Sequence, residues 1–192
     1  MTMTPSSPPP NRLKVAQLIE TMAMGGAEHL AVRIANHLAD HGHDSHLIVL
    51  GTPGVLSAKI QPGVHVHYLH FQRASITNPI RFALSLRRGL GLIRKVVEEG
   101  RISVVQTHLP GANFFGLLLA WRRTTAVLAT IHNNQEFSYG ELDNPILYRL
   151  RKWAYKKILL KTQGVVAVSD EVKDSLVAEL GGGIPPGTGF VW

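Results

Sequence analysis

The sequence predicts a doubly wound, Rossmann-like α/β fold, in which a parallel sheet carries helices on both faces. Short apolar runs that fit buried strands alternate with segments whose apolar residues recur every three or four positions. The connections between these segments are short, as in crossovers that join parallel strands. With 192 residues and 45% hydrophobic content, the chain can form one ample core. We expect a single folded domain over residues 12–180.

The two ends of the chain differ in composition from this predicted domain. Residues 1–11 are polar and proline-rich without the apolar segment of a secretory signal, and we interpret them as a disordered leader. Residues 181–192, GGGIPPGTGFVW, are interpreted as a glycine- and proline-rich tail or a truncated interdomain linker. The absence of cysteine excludes a disulfide framework and a thiolate metal site, and makes the cytoplasm the default compartment.

The charge of the chain points to an acidic partner. The formal net charge is +7 and the pI is near 10.0, which suits nucleic acid, an anionic membrane surface or a phosphorylated substrate. No zinc-finger spacing, RNP-like aromatic motif or basic tail is present, so we expect no nucleic acid. A basic helix predicted from Asn144 to Lys161 carries aromatic residues among its cations, which favours peripheral association with the inner face of a membrane. Its candidate membrane-surface residues are Arg149, Arg151, Lys152, Lys156 and Lys157.

The segment from Leu13 to Leu38 predicts a strand, a glycine turn and an amphipathic helix. Gly25 and Gly26 interrupt the apolar pattern, and helical spacing begins at Ala27. Residues without Cβ at a helix start let an anionic group approach backbone N–H donors at the positive end of the helix. A plain tight turn explains the pattern equally well. The spacing is not G-x-G-x-x-G, and no acidic residue follows the second strand, so a dinucleotide site is not indicated.

Histidines alternate on two further predicted strands, 44–50 and 64–69. His46 lies in the first of these strands, and His65 and His67 lie in the second. Alternating histidines are more typical of a solvated face than of a metal site, and no third ligand is evident, so we predict no metal. The next helix begins at Asn78-Pro79 and ends near Glu99, with a basic stripe that we interpret as a solvated face.

Two more histidines follow predicted buried strands in the second half of the chain. The strand 102–107 delivers His108 to a loop before a helix over 112–122, and the strand 126–131 delivers His132 and Asn133. Because the carboxyl ends of parallel strands meet at one edge, we expect both histidines at the same edge as the glycine pair. A final strand, 164–168, leads to Ser169, which caps a helix that ends near Leu180.

The motif Met24-Gly25-Gly26-Ala27-Glu28 resembles the N-terminal signature of retaining glycosyltransferases of family 4, which have the two-domain GT-B fold. Looser matches lie at 104–116, 130–133 and 166–169, in the order and spacing of the family. The resemblance covers about Leu13 to Ile184 and implies the acceptor-side, Rossmann-like half of that fold.

The resemblance implies roles for several residues. Gly25 and Gly26 would lie against the donor diphosphate, and His132 would line the catalytic cleft as the candidate catalytic residue. Glu28 has an alternative role as a carboxylate in the first helical turn. The candidate acceptor-binding or cleft-lining residues are Glu28, His108, Asn133 and Ser169.

The resemblance further implies sugar transfer from a nucleotide-sugar co-substrate to a glycan or lipid acceptor, with no other cofactor. The donor-gripping half of the family does not follow Gly183. We therefore expect a truncated chain that is inactive alone and needs a separate donor-binding half. The alternatives are a non-catalytic module that binds a membrane or a partner and, less favoured, a basic α/β nucleic-acid binder.

Overall fold

The computed structural model describes residues 12–72, 74, 78–120, 125–134, 149, 153, 156, 159 and 161–180. The strands are β1 (Lys14–Ile19), β2 (Asp44–Val49), β3 (Val64–Tyr68), β4 (Val104–His108), β5 (Ala126–Ile131) and β6 (Gly164–Ala167). The helices are α1 (Gly26–Asp40), α2 (Pro79–Gly100), α3 (Leu109–Ala120) and α4 (Asp170–Leu180), with a 3-10 helix at Val55–Lys59.

In the described part of the chain these strands form a six-stranded parallel sheet with the order β3-β2-β1-β4-β5-β6. The strand order runs outward in both directions from β1 and β4, which defines a doubly wound sheet. The predicted fold class is confirmed. The chain divides into two compact units, Met1–Val105 and Gln106–Trp192.

In the first unit, α1 covers one face of the strands β1, β2 and β3. Gln17 pairs with Leu47, and Leu47 pairs with Val66, so residues of the same parity share this face. The core of the unit includes Ile19, Leu47 and Val49 from the strands and Ala31, Val32 and Ala35 from α1. The small residues of α1 let its backbone lie close to the sheet.

In the second unit, buried polar side chains fix α3 to the strands. The Thr107 hydroxyl donates a hydrogen bond to Asn113 Oδ1 at 2.6 Å, and Asn113 Nδ2 donates to the Thr130 carbonyl at 3.0 Å. Thr107 and Asn113 are fully buried, so these bonds replace contacts with water that folding removes. The apolar cluster beside them consists of Leu117, Ala129, Ile131, Leu159, Val165, Ala167, Val172, Leu176 and Leu180.

Both predicted helix caps are present. Asn78 Oδ1 accepts a hydrogen bond from the Arg81 amide at 3.0 Å, with Pro79 in the first turn of α2. Ser169 Oγ accepts a hydrogen bond from the Val172 amide at 3.2 Å at the start of α4. Short polar side chains at these positions satisfy amides that have no partner within the helix.

The predicted loop after the fourth strand is wrong. His108 is the last residue of β4, and α3 begins at Leu109 instead of Ala112. A single residue in the left-handed region, Leu109 with φ 70°, turns the chain directly from strand to helix. Pro110 and Gly111, which indicated a loop, lie in the first helical turn, where proline is favoured because its missing N–H has no partner there.

Several predictions concern residues 1–11, the segment 144–161 and residues 181–192, which lie largely outside the described residues. From the basic helix, Arg149, Trp153, Lys156 and Leu159 are described, and all four are helical. Arg151, Lys152 and Lys157 are outside the described set. Among the described helices, none combines the length and apolar composition that crossing a bilayer requires.

Close packing of α3 predicts different effects for two glycine substitutions. A Cβ on Gly116 would overlap the buried Thr107 side chain, whereas a Cβ on Gly91 in α2 would meet no atom within 4 Å. We expect Gly116→Ala to lower the free energy of unfolding by about 1–3 kcal/mol. Gly91→Ala should leave it unchanged or raise it by up to ~1 kcal/mol, because alanine favours helix. Urea unfolding of both variants tests this, and equal effects would contradict the packing described here.

Candidate functional site

The first candidate site is the amino end of α1, where the chain leaves β1. Gly25 is the N-cap residue, with φ −89° and ψ 157°, and no side chain caps the helix. The first intrahelical bond joins the His29 amide to the Gly25 carbonyl at 3.0 Å. The amides of Gly26, Ala27 and Glu28 precede this bond, and amides at such positions bind anions in other proteins.

The two glycines of this turn have different surroundings. A Cβ on Gly25 would overlap the Glu28 carboxylate, whereas a Cβ on Gly26 would meet no atom within 4 Å. Neither glycine has a positive φ, so glycine is not required by the backbone conformation. Gly25 makes room for Glu28, and Gly26 borders open space at the helix end.

Glu28 is nine-tenths buried beneath the turn, with 7% of its surface exposed. The Thr21 hydroxyl donates a hydrogen bond to Glu28 Oε1 at 3.0 Å, which ties the end of β1 to the first turn of α1. A carboxylate in this turn also interacts favourably with the positive end of the helix. This placement fits the first-turn role that the sequence offers for Glu28. Thr21 was not predicted, because a threonine before a glycine turn carries no distinctive pattern.

The second candidate site is the histidine pair at the ends of β4 and β5. A hydrogen bond joins His108 Nδ1 and His132 Nε2 at 3.1 Å. His108 is fully buried, whereas His132 is half-buried just after β5. The two histidines, which the sequence predicted at one edge of the sheet, are thus in direct contact, a pairing that the spacing alone did not predict. Of the two rings, only that of His132 is partly exposed to solvent.

Burial sets the protonation state of His108. The loss of water around the ring, together with the nearby His132, lowers the pKa of His108 to about 3. His108 is thus neutral at pH 7, with one ring nitrogen protonated and the other unprotonated. A neutral His108 can fix the orientation and tautomer of His132 without adding a charge to the site.

The backbone beside His108 is strained. Leu109 has φ 70°, which is unusual for a side chain of this size and costs about 1–3 kcal/mol. Strain of this kind persists where surrounding contacts require a particular geometry. Here it holds His108 at the end of its strand while α3 starts at once.

The remaining predicted cleft residues of this unit are Asn133 and Ser169. Asn133 is half-buried in the turn after β5. Ser169 follows β6, and its hydroxyl accepts the capping bond of α4. The structure brings neither residue into hydrogen-bond contact with the histidine pair among the interactions described, and their ligand-binding roles stay predictions.

Of the five cationic residues predicted for a membrane surface, the structure describes Arg149 and Lys156. Arg149 is exposed, and Trp153 is 59% exposed. Lys156 is half-buried, and its Nζ donates to the Leu180 carbonyl at the end of α4.

The alternating histidines form a cluster around Asp44 in the first unit. His46 Nδ1 lies 3.0 Å from His67 Nε2, and His46 Nε2 lies 3.2 Å from Asp44 Oδ1. Lys14 Nζ is 3.3 Å from Asp44 Oδ2. Burial lowers the pKa of both His46 and His67. For Asp44, burial acts to raise the pKa, but the hydrogen bond from Lys14 and the nearby His46 outweigh it and hold the pKa below its usual value. In the described ranges, no group of three or more histidine, cysteine, aspartate or glutamate side chains is arranged to hold a metal ion.

Comparison with models of protein families assigns the chain to a family. The model of Glycosyltransferase Family 4 matches residues 24–192, a stretch that begins at the glycine turn. The chain belongs to this family, as its resemblance implied. No curated protein sequence matches the chain.

Solved glycosyltransferase structures share the fold. A glycosyltransferase from Rickettsia africae is 22% identical with a TM-score of 0.62, and the match covers 87% of this chain and 39% of that protein. HepE from Anabaena, solved in complex with UDP-glucose, is 13% identical with a TM-score of 0.64, and the match covers 94% and 44%. Sucrose-phosphate synthase from Thermosynechococcus elongatus is 15% identical with a TM-score of 0.64, covering 87% and 45%. The chain thus spans less than half the length of each of these proteins.

The neutral state of His108 predicts a pH dependence of stability. Between pH 6.5 and about 3, the unfolded chain binds a proton on this ring that the folded chain excludes. The free energy of unfolding should therefore fall as pH falls through this range, and His108→Gln should reduce the slope by up to about 1.4 kcal/mol per pH unit. Urea unfolding at several pH values measures both slopes. An unchanged slope in His108→Gln and in His108→Asn would show that His108 does not titrate as described.

Proposed function

We propose that this chain is the acceptor-side domain of a retaining glycosyltransferase of GT-B fold, which moves a sugar from a nucleotide sugar to a glycan or lipid acceptor. The observation that carries the proposal is the open helix end at Gly26, in a turn where the family match begins. An anion-binding helix end and a family of sugar transferases together favour a donor diphosphate as the ligand.

The chemistry of the proposed reaction explains the need for such a helix end. When the bond between the sugar and the diphosphate breaks, negative charge develops on the departing phosphate oxygen, while the acceptor hydroxyl oxygen forms the new bond to the sugar and passes its proton to that phosphate oxygen. Amides aimed at that charge stabilise the transition state more than the ground state. The amides of Gly26 and Ala27 are the proposed donors, because the space beside Gly26 is open.

His132 is the proposed cleft residue of the second unit. Its ring is half-buried and hydrogen-bonded to His108, so its orientation is set before a ligand arrives. A pre-oriented ring can accept or donate a hydrogen bond to a substrate hydroxyl at little entropic cost. We propose that His108 is a positioning residue for His132, since its burial keeps it from direct contact with an acceptor.

We propose UDP as the nucleotide to test first, because HepE has been solved with UDP and with UDP-glucose. We further propose that transfer requires a donor-binding half, since the chain corresponds to less than half of each similar structure. A binding module without catalytic activity is the second candidate, favoured by the same partial coverage.

The chain alone should transfer no sugar, because one side of a cleft cannot hold the departing diphosphate and the acceptor together. The test incubates the purified chain with a panel of UDP-sugars and with glycan and lipid acceptors. Fusion to the donor-binding half of a family-4 enzyme provides the comparison. Turnover by the chain alone would contradict the need for a second half, and activity of the fusion would distinguish the enzyme from a binding module.

Gly26→Ala should weaken the binding of UDP and of pyrophosphate by about tenfold or more, since a Cβ there would occupy the space of a phosphate oxygen. Its melting temperature should stay the same or rise, because no protein atom opposes the new Cβ. Gly91→Ala, also into open space, is the matched control and should bind as the unmodified chain does. Calorimetric titration measures the affinities, and equal affinity of the two variants would show that the turn holds no phosphate.

A further inference from the structure

The outward face of α2 exposes two large apolar side chains. Ile80 is 73% exposed and Leu84, one turn later, is 62% exposed. The opposite face of the helix carries Ile93 and Val97, which are buried. Isolated exposed apolar residues are ordinary on protein surfaces, but two on one line of a helix form a continuous stripe.

Arginines lie on both sides of this stripe. At 100° per residue, Arg81 and Arg88 lie on one flank of the line through Ile80 and Leu84, and Arg87 lies on the other. All three arginines are exposed, and within the described part of the chain none of their guanidinium groups has an ion-pair partner. The sequence from Pro79 to Val97 contains no aspartate or glutamate.

The helix does not depend on this face for its own stability. Gly89 and Gly91 would weaken an isolated amphipathic helix. In the structure, the buried face and the Asn78 cap hold α2 in place, so the outward face is preformed. A preformed face binds without the entropy cost of ordering a disordered peptide.

We propose that this face, defined by Ile80, Arg81, Leu84, Arg87 and Arg88, docks on the surface of an anionic lipid bilayer. The apolar stripe would enter the headgroup region, and the flanking guanidinium groups would contact lipid phosphates and carboxylates. The proposal goes beyond the proposed function, and it holds whether or not the chain transfers sugar. It places membrane contact on α2, separate from the cations at Arg149 and Lys156.

A bilayer fits this face better than nucleic acid does. Arginines alone would suit any polyanion. Single-stranded nucleic acids are bound through aromatic side chains on which bases stack, but the centre of this face holds aliphatic Ile80 and Leu84. An aliphatic centre with cationic flanks matches the layering of a membrane surface, where apolar tails lie below charged headgroups.

The test is co-sedimentation of the full chain with two kinds of vesicle, phosphatidylcholine alone and phosphatidylcholine mixed with phosphatidylserine in equal parts. The chain should sediment with the anionic vesicles and lose most of this binding on going from low salt to ~0.15 M salt. Ile80→Gln with Leu84→Gln should weaken it by about tenfold or more. Arg81→Gln with Arg88→Gln should weaken it to a similar degree, since each cation near such a surface contributes about a fivefold gain in affinity.

Two matched variants control for the loss of charge and of apolar surface. Arg33→Gln with Lys59→Gln removes two exposed cations from α1 and the 3-10 helix, and Leu13→Gln with Val55→Gln removes two exposed apolar side chains. Both should bind within about twofold of the unmodified chain. Equal binding to neutral vesicles or equal losses in the two control variants would overturn the proposal. So would a soluble RNA that still competes fully for the variant Ile80→Gln with Leu84→Gln, because the arginines alone would then account for binding.

Discussion

The hydrogen bond from Thr21 to Glu28 fixes the geometry on which the first candidate site depends. A carboxylate that is nine-tenths buried is costly without a partner, and Thr21 supplies one from the end of β1. The carboxylate lies where a Cβ of residue 25 would be, so glycine at this position lets Glu28 keep its place beside the turn. The contact lies in the first turn of α1, next to the backbone amides at the open helix end beside Gly26.

A comparable polar constraint acts in the second unit. Asn113 links Thr107 to the Thr130 carbonyl, and this buried bridge holds α3 against β5. The left-handed turn at Leu109 leaves no loop after β4, and His108 is fully buried whereas His132 is half-buried. Both candidate sites thus pair a buried polar residue, which supplies rigidity, with a more accessible group that can meet a ligand.

Much of the fold was predictable because its signals are local. Apolar periodicity indicated the strands and α-helices of the described chain but not the 3-10 helix at Val55–Lys59, and Asn78 and Ser169 marked two helix starts by their capping chemistry. The turn at Leu109 was not predictable, since a leucine with positive φ is imposed by tertiary contacts and leaves no sequence signal. The Pro110-Gly111 pair favoured a loop, whereas proline is also well suited to a first helical turn.

The candidate sites were predictable in composition but not in arrangement. The glycine pair and both histidines could be named from their positions after strands. That Gly25 serves Glu28 while Gly26 faces open space depends on side-chain packing, which spacing does not encode. The exposure of Ile80 and Leu84 was likewise missed, because the helical pattern identified the buried face of α2 and left the opposite face as generic solvated surface.

The central claim is that the amide groups at the start of α1 receive a diphosphate, and backbone amide chemical shifts test it most directly. Titration of the isotope-labelled chain with pyrophosphate and with UDP should shift the amide signals of Gly26 and Ala27 more than those of other residues in the first unit. Saturable shifts centred on these amides would support the account. Unmoved amides at Gly26 and Ala27 under a large excess of both ligands, or shifts centred elsewhere, would contradict it.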